Sequence, residues 1–355
     1  MSGLLPFGPG AWVFISLYLL SLIGIGLLGK RARKENSLND FYLAGAGFGA
    51  PVLFLTLFAT QYSGNTFFAF TGATYRIGYA WLTSLHFMTA IVVCYFIYAP
   101  RLFVLAKARN YVTPSDYVHD RFRNNVLTVI VTLTLIVVLC NFLLAQLMAM
   151  GRAMQGLSQI DQDTAYIGGV IVLALIMVIY GTLGGLRAVA WTDAIQGVIL
   201  MFGFAILLLL LFDLYGPLVN ATNVLMAADL TSGTRKTLPP NALQCREWLS
   251  YILTVGFAGS LYPQAIQRIY AARSAIALRR SLSIMAFMPL PTMIIAVIAG
   301  IMAAAYIPGL EGAASDQVFG RVLREIQAHS TIGYGVVVVL LSAVLAAMMS
   351  TADSA

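Results

Sequence analysis

Long apolar runs separated by short polar loops dominate this chain, and they leave it one solvent to fold in. A helix crosses the hydrocarbon core of a bilayer in about 20 residues. Runs of about that length recur at roughly 10–29, 50–75, 79–105, 126–150, 165–182, 192–215, 247–270, 281–306 and 331–355. Only 10% of the 355 residues are charged and 60% are hydrophobic, whereas soluble domains carry roughly 25% charged residues. In lipid the backbone must satisfy its own hydrogen bonds, which leaves helices or closed barrels. The pattern therefore predicts an all-α integral membrane protein, with the lipid bilayer as its surroundings. The longest loop, 216–245, holds Pro239-Pro240 and is polar enough to lie outside the membrane. A net charge of +7 can signal nucleic acid. Here the basic residues sit in short loops between apolar runs, so no nucleic-acid partner is expected. Three cysteines, an odd number, give no disulfide framework. No cleavable signal peptide is evident, because the N-terminus lacks a basic leader and the first run ends in Gly29-Lys30-Arg31.

Topology follows from the placement of Lys and Arg, which favour cytoplasmic loops. One alternate set of loops holds Lys30, Arg31, Arg33 and Lys34, then Arg101, Lys107, Arg109, Arg121 and Arg123, then Arg187, then Arg268, Arg273, Arg279 and Arg280. The opposite set is poorer in basic residues. The first set is therefore cytoplasmic, and the expectation is a multi-pass protein of the cell (plasma) membrane with its N-terminus outside. The last helix then runs inward.

Two runs look interrupted. One reads Ala59-Thr60-Gln61-Tyr62-Ser63-Gly64-Asn65-Thr66, and the other Gly256-Phe257-Ala258-Gly259-Ser260-Leu261-Tyr262-Pro263-Gln264. Glycine, proline and small polar residues at membrane depth free backbone carbonyls and amides, which is tolerated only where they are buried in protein or line a cavity. The two runs lie five helices apart and cross in opposite directions. That pairing is the signature of an inverted repeat with a binding site between the broken helices.

The end of the chain places two hydroxyls and a carboxylate, Ser350, Thr351 and Asp353, on an apolar helix, where polar groups are costly and usually functional. A hard cation prefers oxygen ligands, so Ser350, Thr351 and the Ala347 carbonyl suit sodium. The competing reading is that each hydroxyl bonds back to the carbonyl four residues earlier. Asp353 shares the face of Ser350 and could tune a cation pathway, or could be solvated at the helix end. Asp193 sits in Gly184-Gly185-Leu186-Arg187-Ala188-Val189-Ala190-Trp191-Thr192-Asp193-Ala194-Ile195-Gln196, where the pattern predicts a turn and then a helix starting near Thr192, its acidic first turn facing the helix dipole. Asn141 and Gln146 read more readily as interhelical glue than as substrate contacts. His86 and His329 have no spacing for a metal. No Gly-rich phosphate loop ending in Lys-Ser or Lys-Thr occurs, and nothing suggests an enzyme.

These stretches together resemble the sodium/solute symporter family, which includes sugar, proline, pantothenate and iodide carriers. Asp40-Phe41-Tyr42-Leu43-Ala44-Gly45 is similar to its opening motif, with Ala46 where arginine is usual. Gly184-Gly185 through Trp191-Thr192-Asp193 and Gln196 resembles its hallmark, Gln267-Arg268 through Arg273-Ser274 the stretch after the second broken helix, and Ala347 to Ser354 the sodium-site helix. The resemblance implies the five-plus-five inverted-repeat, leucine-transporter-like fold with one extra leading helix, truncated in the second repeat. On that scheme 1–49 hold the leading helix and a basic loop, 50–215 the first repeat, 216–245 an outer loop and 246–355 a partial second repeat. It further implies a sodium site on the carbonyls of Ala59, Tyr62 and Ala347 and the hydroxyls of Ser350 and Thr351. Substrate contacts would come from Gln61, Ser63, Gly64, Asn65, Tyr262 and Gln264, with Asp193 and Asp353 on the ion pathway. Gln61 stands where proline carriers have an aspartate, which argues against a close proline carrier.

The expected function is secondary active transport, with sodium (Na+) entering down its gradient coupled to uptake of a small organic solute. The alternative is a symporter-like sensor module of a larger signalling protein such as a histidine kinase. Since the chain stops inside a helix of the second repeat, the 355 residues alone are not expected to transport.

Overall fold

A computed structural model describes residues 8–354 apart from 34, 36, 63 and 158–160. Every predicted run is helical. The leading helix α1 (Pro9–Arg31) has proline in its first turn and Lys30 and Arg31 in its last, which suits the helix dipole. A short α2 (Leu38–Leu43), capped by Ser37 accepting from the Asp40 amide, leads into the first broken helix. That helix is α3 (Ala50–Gln61) followed by α4 (Gly64–Ile77). A 3₁₀ segment (Gly78–Thr83) and α5 (Ser84–Arg109) return across the bundle. Then come α6 (Pro114–Phe122), capped by a reciprocal Thr113–Asp116 box, and the long α7 (Asn125–Leu157).

Helix α8 (Gln162–Tyr215) has 54 residues. Straight, it would be about 81 Å long, far more than a bilayer. It leaves helical geometry at Gly185 (φ 59°, ψ −162°), a backbone that favours glycine. The predicted Gly-Gly turn is therefore real, but the second arm resumes at once, at 186. After α8 come α9 (Leu218–Ser232), α10 (Ala242–Ser260), α11 (Pro263–Ala271), α12 (Ala275–Met285), α13 (Pro289–Tyr306), α14 (Val318–His329) and α15 (Thr331–Asp353). The outer loop read from sequence thus holds a helix of its own, α9. The second broken helix is α10 plus α11, interrupted at Leu261 and Tyr262, because Pro263 has no N–H to continue the ladder and is well placed as a first helical residue. Among the described residues, six helical stretches are long and apolar enough to cross a membrane, α8 counting as one of them.

The packing of α15 fixes the direction of the two arms of α8. On the second arm Asp193 meets Ser350, and a Cβ on Gly203 would come within 2.8 Å of Leu340 Cδ1. Residue numbers rise on one helix as they fall on the other, so the pair is antiparallel. On the first arm Leu173 shares a cavity wall with Leu345, and Gly181 lies against Asp353, so that arm is parallel to α15. The arms are therefore antiparallel to each other and α8 is a hairpin. Helix α1 packs across its turn. A Cβ on Gly26 would lie 2.9 Å from the Tyr180 carbonyl, and one on Gly29 would lie 2.9 Å from Ala188 Cβ. Arg187 clamps the same region, donating to Asp40 Oδ1 at 2.7 Å and to the Ala32 carbonyl at 2.6 Å.

The start of the first broken helix and the end of the second are joined by backbone. Phe48 N–H donates to the Ala271 carbonyl at 3.2 Å, and Arg273 N–H donates to the Phe48 carbonyl at 2.9 Å. At the opposite end α4 is bridged to the segment before α14. Arg76 contacts Ser315 and pairs with Asp316 at 2.8 Å, and Arg152 of α7 pairs with the same carboxylate at 3.2 Å.

Candidate functional site

The end of α3 supplies free carbonyls by geometry alone. A helix leaves its last four C=O groups without intrahelical partners. Tyr62 closes α3 at φ −114°, ψ 67°, its N–H still donating to the Phe58 carbonyl at 2.8 Å. The carbonyls of Ala59 and Tyr62 fall in this terminal turn, and both residues are buried. On the facing helix Ala347, Ser350 and Thr351 are buried too. Thr351 Oγ1 donates to the Ala347 carbonyl at 2.7 Å, the back-bond of the competing reading, which leaves its lone pairs free. Ser350 does not back-bond. Its hydroxyl donates to Asp193 Oδ1.

Asp193 organises the α8 side of this site. The sequence pattern put it in the first turn of a helix. The second arm resumes at 186, so Asp193 lies about two turns inside it, level with Ser350 of α15. Its Oδ2 accepts from the Thr56 hydroxyl and, at 2.9 Å, from Arg268. The side chains of Arg268 and Asp193 are 0% and 2% exposed, so this is an ion pair wholly removed from solvent. Arg268 is satisfied all round. Nε donates to Thr56 Oγ1 at 2.8 Å, and Nη1 to the Gln264 carbonyl at 3.0 Å. Nη2 donates to Ser354 Oγ at 2.9 Å besides Asp193. Four elements, α3, α8, α11 and α15, thus meet through one carboxylate and one guanidinium.

Asp353 is not simply solvated. It is half-buried against Gly181, and its Oδ2 is enclosed without a hydrogen-bond partner. A cavity of about 250 Å³ reaches it from the side of Phe41, Thr182, Gln267 and Ser354.

The predicted substrate residues divide. Gln61 and Tyr262 line one cavity of about 480 Å³ with Thr66, Trp81, Phe87 and Tyr251. Gln264 lies on the other side of the α11 start. It is buried, its Oε1 has no partner, and its carbonyl serves Arg268. Gly64 and Asn65 form the first turn of α4, and Ser63 lies outside the described residues. Asn141, expected to bond between helices, is exposed on the apolar face of α7, while Gln146 is buried. His86 lies tilted against Trp248, ring centroids 5.3 Å apart, and His329 lies 3.5 Å from Asp213. Thr56 was not singled out by sequence reasoning. Arg268 was read as a basic residue of a cytoplasmic loop and as part of the stretch after the second broken helix; it lies instead inside α11, buried, because Asp193 and Thr56 supply the partners that water would have given.

Two broken helices in one bundle, with a buried charge cluster where they meet further helices, are the arrangement of an inverted-repeat membrane fold. Residues 41–355 match the sodium:solute symporter family, and the chain belongs to it. It is 28% identical over 214 residues to the sodium/pantothenate symporter of Escherichia coli (strain K12), covering 60% of this chain and 44% of that protein. It is 26% identical to the sodium/pantothenate symporter of Haemophilus influenzae, covering 95% and 68%, and 26% identical to the sodium/proline symporter of Staphylococcus aureus (strain bovine RF122 / ET3-1), covering 97% and 65%. The chain therefore spans about half to two thirds of the length of these relatives. A solved Na+-coupled sialic acid symporter, in a substrate-bound outward-open state, superposes with a TM-score of 0.75 at 17% identity, covering 98% of this chain and 71% of that one. That likeness establishes the leucine-transporter-like fold.

Proposed function

We propose that this chain is the larger part of a sodium-coupled symporter that carries a small organic solute into the cell across the plasma membrane, with its N-terminus outside. On this reading 1–49 hold the leading helix, 50–215 are one repeat, 216–245 an outer loop, and 246–355 begin the inverted repeat. Sodium is held between the end of α3 and α15 by the carbonyls of Ala59, Tyr62 and Ala347 and the hydroxyls of Ser350 and Thr351. The solute sits beside the breaks, against Gln61 and Tyr262, with Ser63, Gly64, Asn65 and Gln264 near. Asp193 and Asp353 lie on the cytoplasmic route of the ion. The observation that carries the proposal is the buried Thr56–Asp193–Ser350 contact, which ties α3, α8 and α15 together about one turn from the helix end that leaves its carbonyls free. The relatives, named as sodium/pantothenate and sodium/proline symporters, support the coupling ion and the solute class.

The chemistry follows from charge and geometry. Sodium needs oxygen ligands, and a cage of neutral oxygens lets it leave again. Ser350 and Thr351 donate their protons to Asp193 and to the Ala347 carbonyl, which leaves their oxygen lone pairs free for the ion. Coupling arises because the ion favours the conformation that holds the end of α3 against α15 over one that parts them. The test is solute-stimulated uptake of radioactive sodium into proteoliposomes carrying the complete reading frame, screened with pools of amino acids, monocarboxylates, sugars and vitamins. Stimulation that vanishes in Ser350→Ala/Thr351→Ala is expected. Absence of stimulation in every pool, from folded protein, refutes the proposal.

A further inference from the structure

The second arm of α8 carries a group that neither the ion pair nor the hydroxyl pair uses. Gln196 is 0% exposed, and neither its Oε1 nor its Nε2 has a hydrogen-bond partner. Buried amides are normally bonded, and one that is wholly unpaired needs an explanation. Interhelical glue is not one, since glue has a partner.

The register of α8 against α15 shows where this amide lies. Gly203 faces Leu340 on the antiparallel neighbour. Seven residues make two helical turns and return to nearly the same face. Two turns back from Gly203 is Gln196, and two turns on from Leu340 is Ala347. Asp193 and Ser350, which are in contact, obey the same register. Gln196 therefore faces α15 at the level of Ala347. The α3 side agrees. Thr56 bonds Asp193, while Gly197 lies against the Leu55 carbonyl and Phe58, where a Cβ would come within 3.3 and 3.6 Å. That places Gln196 beside the last turn of α3, which holds Ala59. Alanine at 59 and at 347 leaves the space between the helices to the glutamine.

We propose that the Gln196 carboxamide oxygen is a further ligand of the sodium ion held between α3 and α15. This rests on the sodium site proposed above and adds a third helix to it. Three carbonyls and two hydroxyls leave room in the shell of a hard cation that takes six or more oxygens. A neutral amide oxygen fills it without adding charge beside Asp193. It also ties ion binding to the α8 arm that carries the Arg268–Asp193 pair, so the ion registers on α3, α8 and α15 together.

The test is the sodium-dependent rise in melting temperature of the complete reading frame in detergent, titrated with sodium chloride against potassium chloride at constant ionic strength. Ser350→Ala is the control for the site itself. Gln196→Met, which keeps the shape and removes the amide, is expected to raise the half-saturating sodium concentration by about tenfold to 100-fold. Gln196→Glu, which keeps an oxygen and adds charge, is expected to lower it. Added charge near a cation tightens it whether or not it ligates, so the weakening in Gln196→Met is the deciding result, and Gln196→Leu takes its place where Gln196→Met fails to fold. If Ser350→Ala weakens sodium but both Gln196 variants stay within twofold of the parent, Gln196 is not a ligand and the site stands. If the parent shows no sodium-dependent shift, or if Ser350→Ala leaves it unchanged, the site and this inference both fall.

Discussion

Replacing Arg268 by methionine would strand a carboxylate in the middle of the bundle. Asp193 and Arg268 lie 2.9 Å apart with side chains 2% and 0% exposed, so water cannot substitute for the lost partner. Removing one member of such a pair costs about 3–5 kcal/mol. Thr56 and Ser350 continue to donate to the carboxylate, which places the expected loss near the lower end, about 3 kcal/mol, or a factor of more than about 100 in the folded population. Removing both charges is a different experiment. A well-packed apolar replacement of a buried pair is often neutral or stabilising, so Asp193→Leu/Arg268→Met should recover most of the loss. The measurement is a double-mutant cycle by reversible unfolding in micelles, with the two single variants and the double. A coupling of about 2 kcal/mol or more is expected, within the range of contacting residues. An Arg268→Met variant within about 0.5 kcal/mol of the parent, or strictly additive singles, would refute the view that this pair holds α8 to α11.

Four further outcomes can be checked. Gly78 has φ 81° and faces the Lys236 backbone, so Gly78→Ala should lower thermal stability by about 2 kcal/mol or more, from strain and overpacking together. Gly168 sits inside a helix, and a Cβ added there would meet nothing within 4 Å, so Gly168→Ala should be neutral or stabilise by up to about 1 kcal/mol in the same melt. Outside the spanning segments, partial burial would raise the Asp229 carboxyl, but hydrogen bonds from Thr234, Thr237 and the Lys236 amide overrule it and hold it down at about 2. A carboxyl lowered on folding stabilises above its unfolded pKa, and that stability is lost as pH falls through the folded one. Acid melts should therefore show a loss between roughly pH 4 and 2 that is absent in Asp229→Asn. Asp316 bridges Arg76 and Arg152 while partly exposed, so Asp316→Asn should cost at most about 1 kcal/mol, yet speed maleimide modification of a cysteine placed at Ala69, which lines the same cavity. Unchanged labelling would mean that this bridge does not limit access to that cavity.

The parts of this structure set by local chemistry were open to reading from sequence. Pro263 ends a hydrogen-bond ladder, Gly185 turns a chain, and apolar length fixes a span; each acts on its immediate neighbours. The break after Gln61 and the exposure of helix-end carbonyls followed from the same local rules. What escaped were facts that depend on register between distant helices. Arg268 finds Asp193 across 75 positions of chain. Whether Asp193 begins a helix or lies two turns inside one depends on where the Gly185 turn releases the backbone. Tyr262 and Gln264 are two residues apart, yet they face different sides of a helix start, since one precedes Pro263 and the other enters α11. Thr351 was legible as a hydroxyl at depth, but its neighbours across the bundle depend on how α15 sits against the other helices.

The leading helix has a consequence for motion. Helix α1 lies across the α8 turn through Gly26 and Gly29, and the chain just after it is stapled to that turn by Arg187 on the Ala32 carbonyl and on Asp40. It therefore acts as a splint. A joint held by a splint cannot be the joint that bends, so the α8 hairpin has to travel as one lever. Flexing must fall where the helices are already parted, at Tyr62, at 261–262 and between α12 and α13. Severing 1–33 would free the hairpin turn and give the lever an elbow it does not have.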